Sequence, residues 1–457
     1  MGLGVGEEEG REAGELHITA DVRVRAYQGQ SPGPRGQFLV GAYELAEDAR
    51  IAEAEVGGVD VDRAMCRVRS QGIQHGAKSR GVAVVPLPRQ DYGDGSAGQN
   101  LKTGCTGGTA YHASALPRQS GPPLIGQKVH DNCTVTPGTS DIEAAADVLR
   151  AGGLVAFPTE TVYGLGANAE DPVAVERIFR VKGRPSSHPL IVHLGAEEQL
   201  GGWVEDVPAS ARALAQRFWP GPLTLVLRRG PRVPLEATGG LETVAVRVPD
   251  HPVALALLSA FAGGVTAPSA NRFGSVSPTT ADHVRAEFGD AVDFVLDGGP
   301  CTVGVESTIV DVTGPQPSIL RPGGVTREEL HAALGSPVAV PSTTQIRVPG
   351  QHPSHYAPRA RVVLVHPTQV GAEAEAAAAM GYRVGVLVPA RGGAMPVAAH
   401  AVVALPASLE VYARGLYGFL RELDQRGCDL IIASLPAEEG LGLAIANRLR
   451  RAAGPRA

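Results

Sequence analysis

Short apolar runs alternate with segments of helical periodicity through the middle of the chain. Apolar runs bounded by glycine, proline or polar residues predict buried strands, whereas apolar residues that recur every three to four positions predict amphipathic helices. This alternation is typical of an α/β domain with a large twisted sheet. The strands are predicted at 154–157, 189–194, 223–228, 243–248, 293–297, 307–312 and 317–321. The helices are predicted at 172–181, 208–218, 251–262, 280–288 and 327–334.

Two helix starts carry a capping-box pattern, in which Ser or Thr is followed three residues later by Glu. Ser140–Glu143 fits this pattern and predicts a further helix that runs to about residue 151. Thr326–Glu329 fits it as well and predicts the start of the helix at 327–334.

The pattern divides the chain into four parts. Residues 1–136 show no sustained period, so they are predicted to be a disordered extension or sequence upstream of the true start. Residues 137–335 form the α/β domain just described. Residues 336–359 carry five prolines and no periodicity, which predicts an extended linker. Residues 360–457 return to the alternating pattern.

This last part is predicted to be a small Rossmann-like α/β domain of parallel strands. Its strands are predicted at 361–365, 383–388, 401–405 and 429–433, and its helices at 367–380, 408–426 and 440–453. The segment GLGLA at 440–444 is a weak nucleotide-binding signal, because a third glycine and a preceding first strand are missing. The favoured interpretation of this segment is a helix that starts with glycine and packs closely.

Composition narrows the classes of function. The formal net charge of −6 argues against a protein that coats nucleic acid, since such proteins carry a basic excess. The five cysteines form no CxxC pair, so neither a zinc site nor a disulfide framework is indicated. The sequence contains no apolar run of eighteen residues and no signal-peptide pattern at its N-terminus. A cytoplasmic protein without membrane contact is therefore expected.

Polar residues cluster at the ends of the predicted strands of the first α/β domain. Side chains at strand ends can converge on one cleft, whereas the same residues in mid-strand would be buried at a cost. The sequence therefore predicts one binding site built from several segments. These are PTETVYGLG (158–166), KGRPSSHPLIVHL (182–194), TVAVRVP (243–249), APSANRFGSVSPTT (267–280), VESTIVDV (305–312) and ILRPGG (319–324).

Four cations occur in these segments. Lys182 and Arg184 follow a predicted helix, where each could be a solvated residue that meets the C-terminal dipole. Arg247 and Arg321 lie within or at the end of apolar runs, where an unpaired charge would be costly. Arg offers a planar fork to phosphate oxygens and Lys a compact charge. The four together predict a polyphosphate ligand.

Hydroxyl side chains recur in the same segments. Each alone is best explained as a turn or cap residue, but together they suit phosphates, a ribose or a small zwitterion. His193 ends an apolar strand, where histidine is often a core residue, although the neighbouring cations favour a ligand role. No nucleophile elbow and no P-loop occurs, so no catalytic residue and no metal ligand is assigned. The hydroxyl residues are Thr159, Thr161, Ser269, Ser277, Thr279, Ser307 and Thr308.

Five motifs occur in order: PTETVYGLG, K-x-RP-x5-IVH, SAN-x-x-G-x-x-SPT, ESTIVD and LRPG. Through them residues 140–453 resemble the long form of the YrdC-like threonylcarbamoyl-AMP synthases. The resemblance implies a YrdC-like twisted mixed-sheet domain, a linker that serves as a lid, and a small Rossmann-like domain. The implied activity is that of a nucleotidyltransferase, which joins L-threonine, bicarbonate and ATP, accompanied by Mg²⁺, into threonylcarbamoyl-adenylate and pyrophosphate.

The resemblance also implies which residues bind each substrate. Threonine would be held by Thr161, His193, Arg247 and Ser307. ATP would be held by Lys182, Arg184, His188, Thr243, Ser269, Ser277, Arg321, the backbone at Ala267, and Tyr356 of the linker motif SHYAP. The family commonly has Asn at the position of His188, whose imidazole can still donate one hydrogen bond.

The implied chemistry explains the first motif. A carbamate formed on the threonine amine would attack the α-phosphorus in line as pyrophosphate leaves, which depends on positioning and charge neutralisation. Thr161 would contact the amino acid, and Gly164 and Gly166 would let the backbone come close to it. The product would pass to a tRNA threonylcarbamoyl transferase machinery, with at most weak contact between this chain and tRNA.

Two alternatives use the same fold. A non-catalytic RNA-binding module would need a basic groove, which the negative net charge and the intact threonine-site residues disfavour. A carbamoyl-transfer domain of hydrogenase maturation would normally bring CxxC zinc motifs and an acylphosphatase-like region, which this sequence lacks.

Overall fold

The computed structural model describes residues 137–341, 346–352, 354–389 and 398–455, together with the backbone of three short strands. These strands, β1 (Val24–Gln28), β2 (Phe38–Ala42) and β3 (Glu53–Val56), pair in an antiparallel sheet. The remainder of 1–136 lies outside the described residues, so the interpretation of that part stays a prediction.

A nine-stranded mixed sheet forms the first α/β domain. Its strands are β4 (Val155–Phe157), β5 (Gly164–Asn168), β6 (Ile191–His193), β7 (Leu223–Arg228), β8 (Thr243–Arg247), β9 (Val265–Thr266), β10 (Phe294–Val295), β11 (Thr308–Asp311) and β12 (Ser318–Arg321). Their order across the sheet is β10–β4–β5–β9–β6–β8–β7–β11–β12. The predicted large mixed sheet is confirmed.

Helices cover this sheet and complete its core. They are α1 (Thr139–Arg150), α2 (Pro172–Lys182), α3 (Ala209–Phe218), α4 (Leu235–Thr238), α5 (Pro252–Phe261), α6 (Ala281–Phe288) and α7 (Arg327–Leu334). One apolar cluster joins α2, α3, α6 and α7 to the sheet, and a second joins α1 and α5 to β4 and β9. The apolar faces of these helices are therefore buried against the sheet, as their periodicity predicts.

Of the two capping boxes predicted from the sequence, one is present in the structure and one is not. The Thr326–Glu329 capping box is present, with the Thr326 hydroxyl accepting from the Glu329 amide. The box predicted at Ser140–Glu143 is wrong, because α1 begins earlier and the Gly138 amide donates to Asp141 at 3.0 Å. Only the acid at the third helical position can reach back to the N-cap amide, and the sequence pattern placed the N-cap two residues too late.

Strand β5 was not predicted. It consists of the second half of PTETVYGLG, and glycines give no strand signal. A Cβ at Gly166 would lie 2.8 Å from the side chains of Phe157 and Val265 on the neighbouring strands. This glycine is therefore required by close packing within the sheet. The short elements β9 and α4 were also missed.

The C-terminal domain is the predicted Rossmann-like unit. Its strands are β13 (Arg361–Leu364), β14 (Val384–Pro389), β15 (Ala401–Leu405) and β16 (Leu430–Ala433), all parallel, in the order β13–β16–β14–β15. Its helices are α8 (Val370–Ala379), α9 (Leu409–Gln425) and α10 (Leu441–Ala452). Helix α8 packs on one face of the sheet, and α9 and α10 pack on the other. No helix in the described part of the chain could cross a membrane.

The two α/β domains share one apolar core. Val162, Val276 and Val305 of the first domain belong to the same buried cluster as Leu416 and Leu420 of α9. Burial of one such side chain contributes about 1.5–3 kcal/mol. The C-terminal domain is therefore packed against the first domain as well as tethered to it.

Buried histidines make the fold sensitive to acid. The His283 Nδ1 on α6 accepts a hydrogen bond from the Thr279 amide at 3.2 Å, which requires a ring unprotonated at that nitrogen. Burial, assisted by the charge of Arg421, lowers the pKa of His283 to about 4. Burial lowers the pKa of His193 to about 3. Both side chains are therefore neutral in the folded protein at neutral pH.

We predict that this protein loses stability as the pH falls from about 7 to about 5. The folded pKa of His283 lies below its unfolded value of about 6.5, so its stabilisation is present above that value and is lost as the pH falls toward 4. The variant His283→Asn keeps an acceptor but cannot titrate. Urea unfolding at several pH values should show a weaker pH dependence in this variant than in wild type. Equal slopes would contradict the prediction, and His331→Asn on the exposed side of α7 serves as control.

We also predict that a chain starting at Pro137 folds. Among residues whose side chains are described, the five apolar clusters extend from Ile142 to Ala452 and include helices and strands of both α/β domains. The shortened chain should therefore unfold cooperatively with a melting temperature within a few degrees of that of the full chain. Aggregation, or a large drop in melting temperature, would show that the earlier residues complete the core.

Candidate active site

A cavity opens at the ends of the central strands of the nine-stranded sheet, beneath the linker. Segments that are far apart in sequence contribute to its wall, including the turn before β5, the ends of β6, β8 and β12, and the residues before β11. Its lining residues are Thr159, Thr161, Val162, Gly164, Arg184, Ile191, His193, Arg247, Ala267, Pro268, Ser269, Glu306, Ser307, Arg321, Pro349, Gly350, His355 and Tyr356.

Arg247 organises one side of the cavity. Its Nε donates to the Gly221 carbonyl at 3.1 Å, and its Nη1 donates to the Thr161 hydroxyl at 3.0 Å. Its Nη2 forms a 2.5 Å ion pair with Glu160, and both side chains are almost fully buried. Because the guanidinium is fixed on three sides, it holds the Thr161 hydroxyl in one position. The Thr159 hydroxyl, 2.8 Å from that of Thr161, closes the turn.

Ser307 lines the same cavity, just before β11. Its hydroxyl is 2.8 Å from the hydroxyl of Thr224 and accepts a 3.1 Å hydrogen bond from Arg321. Arg321 also donates to the Ser307 carbonyl at 2.9 Å and to the linker carbonyl of Pro349 at 3.2 Å. These acceptors are neutral, so none of these hydrogen bonds offsets the positive charge of Arg321.

Lys182 and Arg184 flank the end of α2. Asp171 caps the start of this helix, and Gly183 ends it in the left-handed conformation with φ of 65°. The turn directs both side chains inward, where Lys182 donates to the carbonyls of Ser269 and Asn271. The sequence alone allowed a solvated helix end, but the structure buries both cations.

The cations around the cavity contact mainly neutral groups. Burial lowers the pKa of Arg184 to about 10 and that of Lys182 well below its usual value. Burial also lowers the pKa of Arg321. Arg184 Nη2 donates to the Pro189 carbonyl at 2.9 Å, while its Nε has no hydrogen-bond partner among the described residues. A bound anion would supply the missing charge and acceptors.

His193 stands beside Arg247, its register partner on the parallel strand β8. Its Nδ1 lies 3.3 Å from the Ile191 carbonyl, and its ring meets that of Phe157 edge to face. Burial, with Arg247 contributing, holds its pKa at about 3. His193 is therefore a neutral polar group in the cavity wall.

The linker closes the cavity from above. Tyr356 has φ of 61°, a conformation that costs a non-glycine residue about 1–3 kcal/mol. Its ring stacks on Tyr417 at 5.8 Å, and the Arg448 guanidinium lies 5.1 Å from its centroid. A Cβ at Gly350 would lie 2.3 Å from the Tyr356 hydroxyl, so glycine is required there. Close packing on the C-terminal domain thus holds the linker in place.

Four of the predicted site residues do not line the cavity. Lys182 lies just outside it on the Ser269 carbonyl, and the Ser277 hydroxyl donates to Glu306 at 2.6 Å. His188 packs edge to face on Phe273 with ring centroids 5.4 Å apart. Thr243 is at the start of β8, about 13 Å along the strand from Arg247.

The linker also covers the sheet near Thr243. Ile346 and Val348 belong to the apolar cluster that contains Ala245, which lies between Thr243 and Arg247 on β8. A ligand long enough to reach both ends of β8 on this face would have to displace these linker residues.

Two buried carboxylates at the site had no role assigned from sequence. Glu160 pairs with Arg247, and Glu306 lines the cavity. Both stand inside the predicted motifs, PTETVYGLG and ESTIVD, so their positions were visible but their partners were not. Within the described part of the chain, no three His, Cys, Asp or Glu side chains group in a way that could hold a metal ion.

Two family models match adjacent parts of the chain. The Sua5/YciO/YrdC model, described as telomere recombination, matches residues 147–323. The model described as threonylcarbamoyl-AMP synthase, C-terminal domain, matches residues 325–454.

Relatives that are matched over nearly their whole length point to the same family. The threonylcarbamoyl-AMP synthase of Pyrococcus abyssi is 45% identical over 326 residues, covering 69% of this chain and 94% of the relative. That of Bacillus subtilis is 43% identical over 324 residues, covering 69% and 93%. The crystal structure of P. abyssi Sua5 complexed with L-threonine aligns with a TM-score of 0.66 at 43% identity, covering 69% of this chain and 95% of that one. This chain therefore belongs to the threonylcarbamoyl-AMP synthase family, with both its catalytic and its C-terminal domain.

Proposed function

We propose that this protein forms threonylcarbamoyl-AMP and pyrophosphate from L-threonine, bicarbonate and ATP, for the threonylcarbamoyladenosine modification of tRNA. One observation supports this most directly. The predicted threonine-binding residues and most of the predicted ATP-binding residues line a single cavity in a member of the synthase family.

The threonine half of the site is built around Arg247. Thr161, His193 and Ser307 surround it on the cavity wall, and they offer hydroxyls and a neutral imidazole to a small zwitterion. We propose that these groups orient threonine so that its deprotonated amine forms a carbamate, either with carbon dioxide and loss of a proton or with bicarbonate and loss of water. The resulting carbamate oxygen then attacks the α-phosphorus, and pyrophosphate leaves as the phosphorus–oxygen bond breaks.

The ATP half contains Arg184 and Arg321, with Lys182 behind them. Their positive charges would neutralise the phosphates and the charge that develops on the leaving pyrophosphate. Mg²⁺ would arrive as part of the MgATP substrate, held by phosphate oxygens and water. His188 lies outside the cavity against Phe273, and its pKa is lowered by burial and by Arg184, so its neutral imidazole would donate one hydrogen bond to a nucleotide that extends beyond the cavity.

The reaction is proposed to take place in the cytoplasm. A separate tRNA threonylcarbamoyl transferase machinery would consume the labile mixed anhydride, and contact between this chain and tRNA would be weak. The net charge of −6 is consistent with weak tRNA contact.

The direct test measures adenylate and pyrophosphate formation by the purified chain. Both products should require ATP, threonine and bicarbonate together. ATP consumption that ignores threonine or bicarbonate would reject the proposal. Turnover that instead requires carbamoyl phosphate would favour a carbamoyl-transfer domain, and tRNA binding without ATP turnover would favour an RNA-binding module.

We predict that Arg184→Ala weakens the use of ATP more than it weakens folding. Loss of one charge-assisted phosphate contact costs about 1.5–3 kcal/mol, roughly a tenfold to hundredfold loss in ATP kcat/KM. The control is Arg180→Ala, which removes an exposed arginine from the last turn of α2, just before Arg184. Unchanged ATP kinetics together with a large fall in melting temperature would assign Arg184 to structure.

We further predict that Tyr356→Ala lowers the adenylate formed per pyrophosphate released. Tyr356 is buried over the cavity, and a lid at this position would exclude water from the mixed anhydride. Deletion of 350–358 should lower the ratio further, and protease cleavage of the linker should slow when ATP and threonine are bound. Equal ratios with equal cleavage rates would reduce the linker to a passive tether.

A further inference from the structure

Glu306 is a buried carboxylate in the wall of the cavity. Its Oε1 accepts a 2.6 Å hydrogen bond from the Ser277 hydroxyl, and the next residue in the chain is Ser307. Burial raises the pKa of a carboxyl, but the charges of Arg448 and Arg321 outweigh this and hold the pKa of Glu306 at about 2. Glu306 is therefore ionised, beside a site proposed to take a polyphosphate.

The other partners of Glu306 come from the C-terminal domain. The Tyr417 hydroxyl on α9 lies 2.8 Å from Oε2 and 2.9 Å from Oε1, to which it donates. Arg448 on α10 donates from Nε to Oε2 at 2.6 Å, and its side chain is 1% exposed. Two helices of the second domain thus reach the wall of a cavity formed by the first.

Arg448 also contacts the other two components of the site. Its Nη1 donates to the Pro322 carbonyl at 2.8 Å, next to Arg321, and its guanidinium lies against the ring of Tyr356. One side chain therefore touches the end of β12, the carboxylate before β11 and the linker. A buried arginine with neutral partners alone would be costly, and Glu306 supplies its counter-charge.

The charge of Glu306 would oppose the binding of ATP unless it were balanced. Glu306 lines the same cavity as Arg184 and Arg321, which the bound phosphates would approach. In a buried site, where charges are poorly screened, an unpaired carboxylate would cancel much of the attraction that those arginines supply. Arg448 removes this penalty without occupying the cavity itself.

We propose, on the basis of the function proposed above, that Arg448 and Tyr417 are positioning residues for ATP that act through Glu306. They balance its charge and fix its carboxylate, which in turn holds Ser277 by a hydrogen bond. The proposal gives the C-terminal domain a direct part in substrate binding.

The test uses the full chain and measures ATP binding by equilibrium dialysis, which needs no turnover. Arg448→Met should raise the ATP dissociation constant at least about tenfold, since a buried carboxylate is left unpaired. Tyr417→Phe, which removes one hydroxyl and keeps the ring, should raise it several-fold. In the synthase assay the KM for ATP should rise in parallel, while the KM for threonine changes much less.

A double variant separates electrostatics from packing. Glu306→Gln with Arg448→Met leaves neither charge, so it should recover most of the ATP affinity lost in Arg448→Met. The control Arg450→Met removes the exposed ion pair with Glu438 from the same helix and should bind ATP like wild type. These binding measurements remain decisive even if the wild-type chain makes no threonylcarbamoyl-AMP, an outcome that would reject the proposed function alone.

Two results would overturn the proposal. One is wild-type ATP affinity in Tyr417→Phe and in Arg448→Met, measured well below the melting temperature of each. The other is a double variant that recovers its melting temperature but not its affinity for ATP. If Arg448→Met does not fold, Tyr417→Phe and the double variant decide the question.

Discussion

The balance of buried charge is the constraint on which this site depends. Each of the two buried carboxylates is matched by an arginine, Glu160 by Arg247 and Glu306 by Arg448. The cations at the other end of the cavity contact mainly carbonyls and hydroxyls, so the cavity keeps a positive excess. Because unpaired charge is costly to bury, such an excess is best explained by an anionic ligand that completes it.

The same constraint joins the two domains. An ion pair buried between them must be excluded from water, and the shared apolar cluster around Val305 and Leu416 provides this exclusion. The linker is held between them, with Tyr356 stacked on Tyr417. The first domain and the linker thus line the cavity, and the second domain contacts two of the lining residues, Glu306 and Tyr356.

Because the linker covers this buried site, a large substrate would have to displace part of it. Ile346 and Val348 cover the sheet between Thr243 and the cavity. If ATP spans this distance, it must replace these apolar contacts with its own. Packing of the linker offsets the backbone strain at Tyr356. A linker that can lose part of this packing is suited to such an exchange.

Much of the fold could be predicted from the sequence because the signals were local. Apolar runs and periodicity located most strands and helices of both domains, and the Thr326–Glu329 cap was predicted correctly. Strand β5 was missed because its glycines are chosen for close contact with neighbouring strands, and that contact is not visible along the chain. The helix start at Ser140–Glu143 was misplaced because two acids, Asp141 and Glu143, could each serve as the third helical residue of the capping box.

For the site, the sequence determined which residues could bind and tertiary structure decided how they are arranged. Thr161, Arg247, Ser307 and Arg321 stand in motifs, and their residue types already indicate a small zwitterion and a polyphosphate. Only the fold sets His193 beside Arg247, because pairing between β6 and β8 depends on the whole sheet. Two partners of Glu306, Tyr417 and Arg448, lie more than a hundred residues away on two helices, where nothing local distinguishes them from other buried side chains. Pairing of buried charges depends on three-dimensional packing. The sequence therefore shows which residues are charged, and the fold determines which of them form ion pairs.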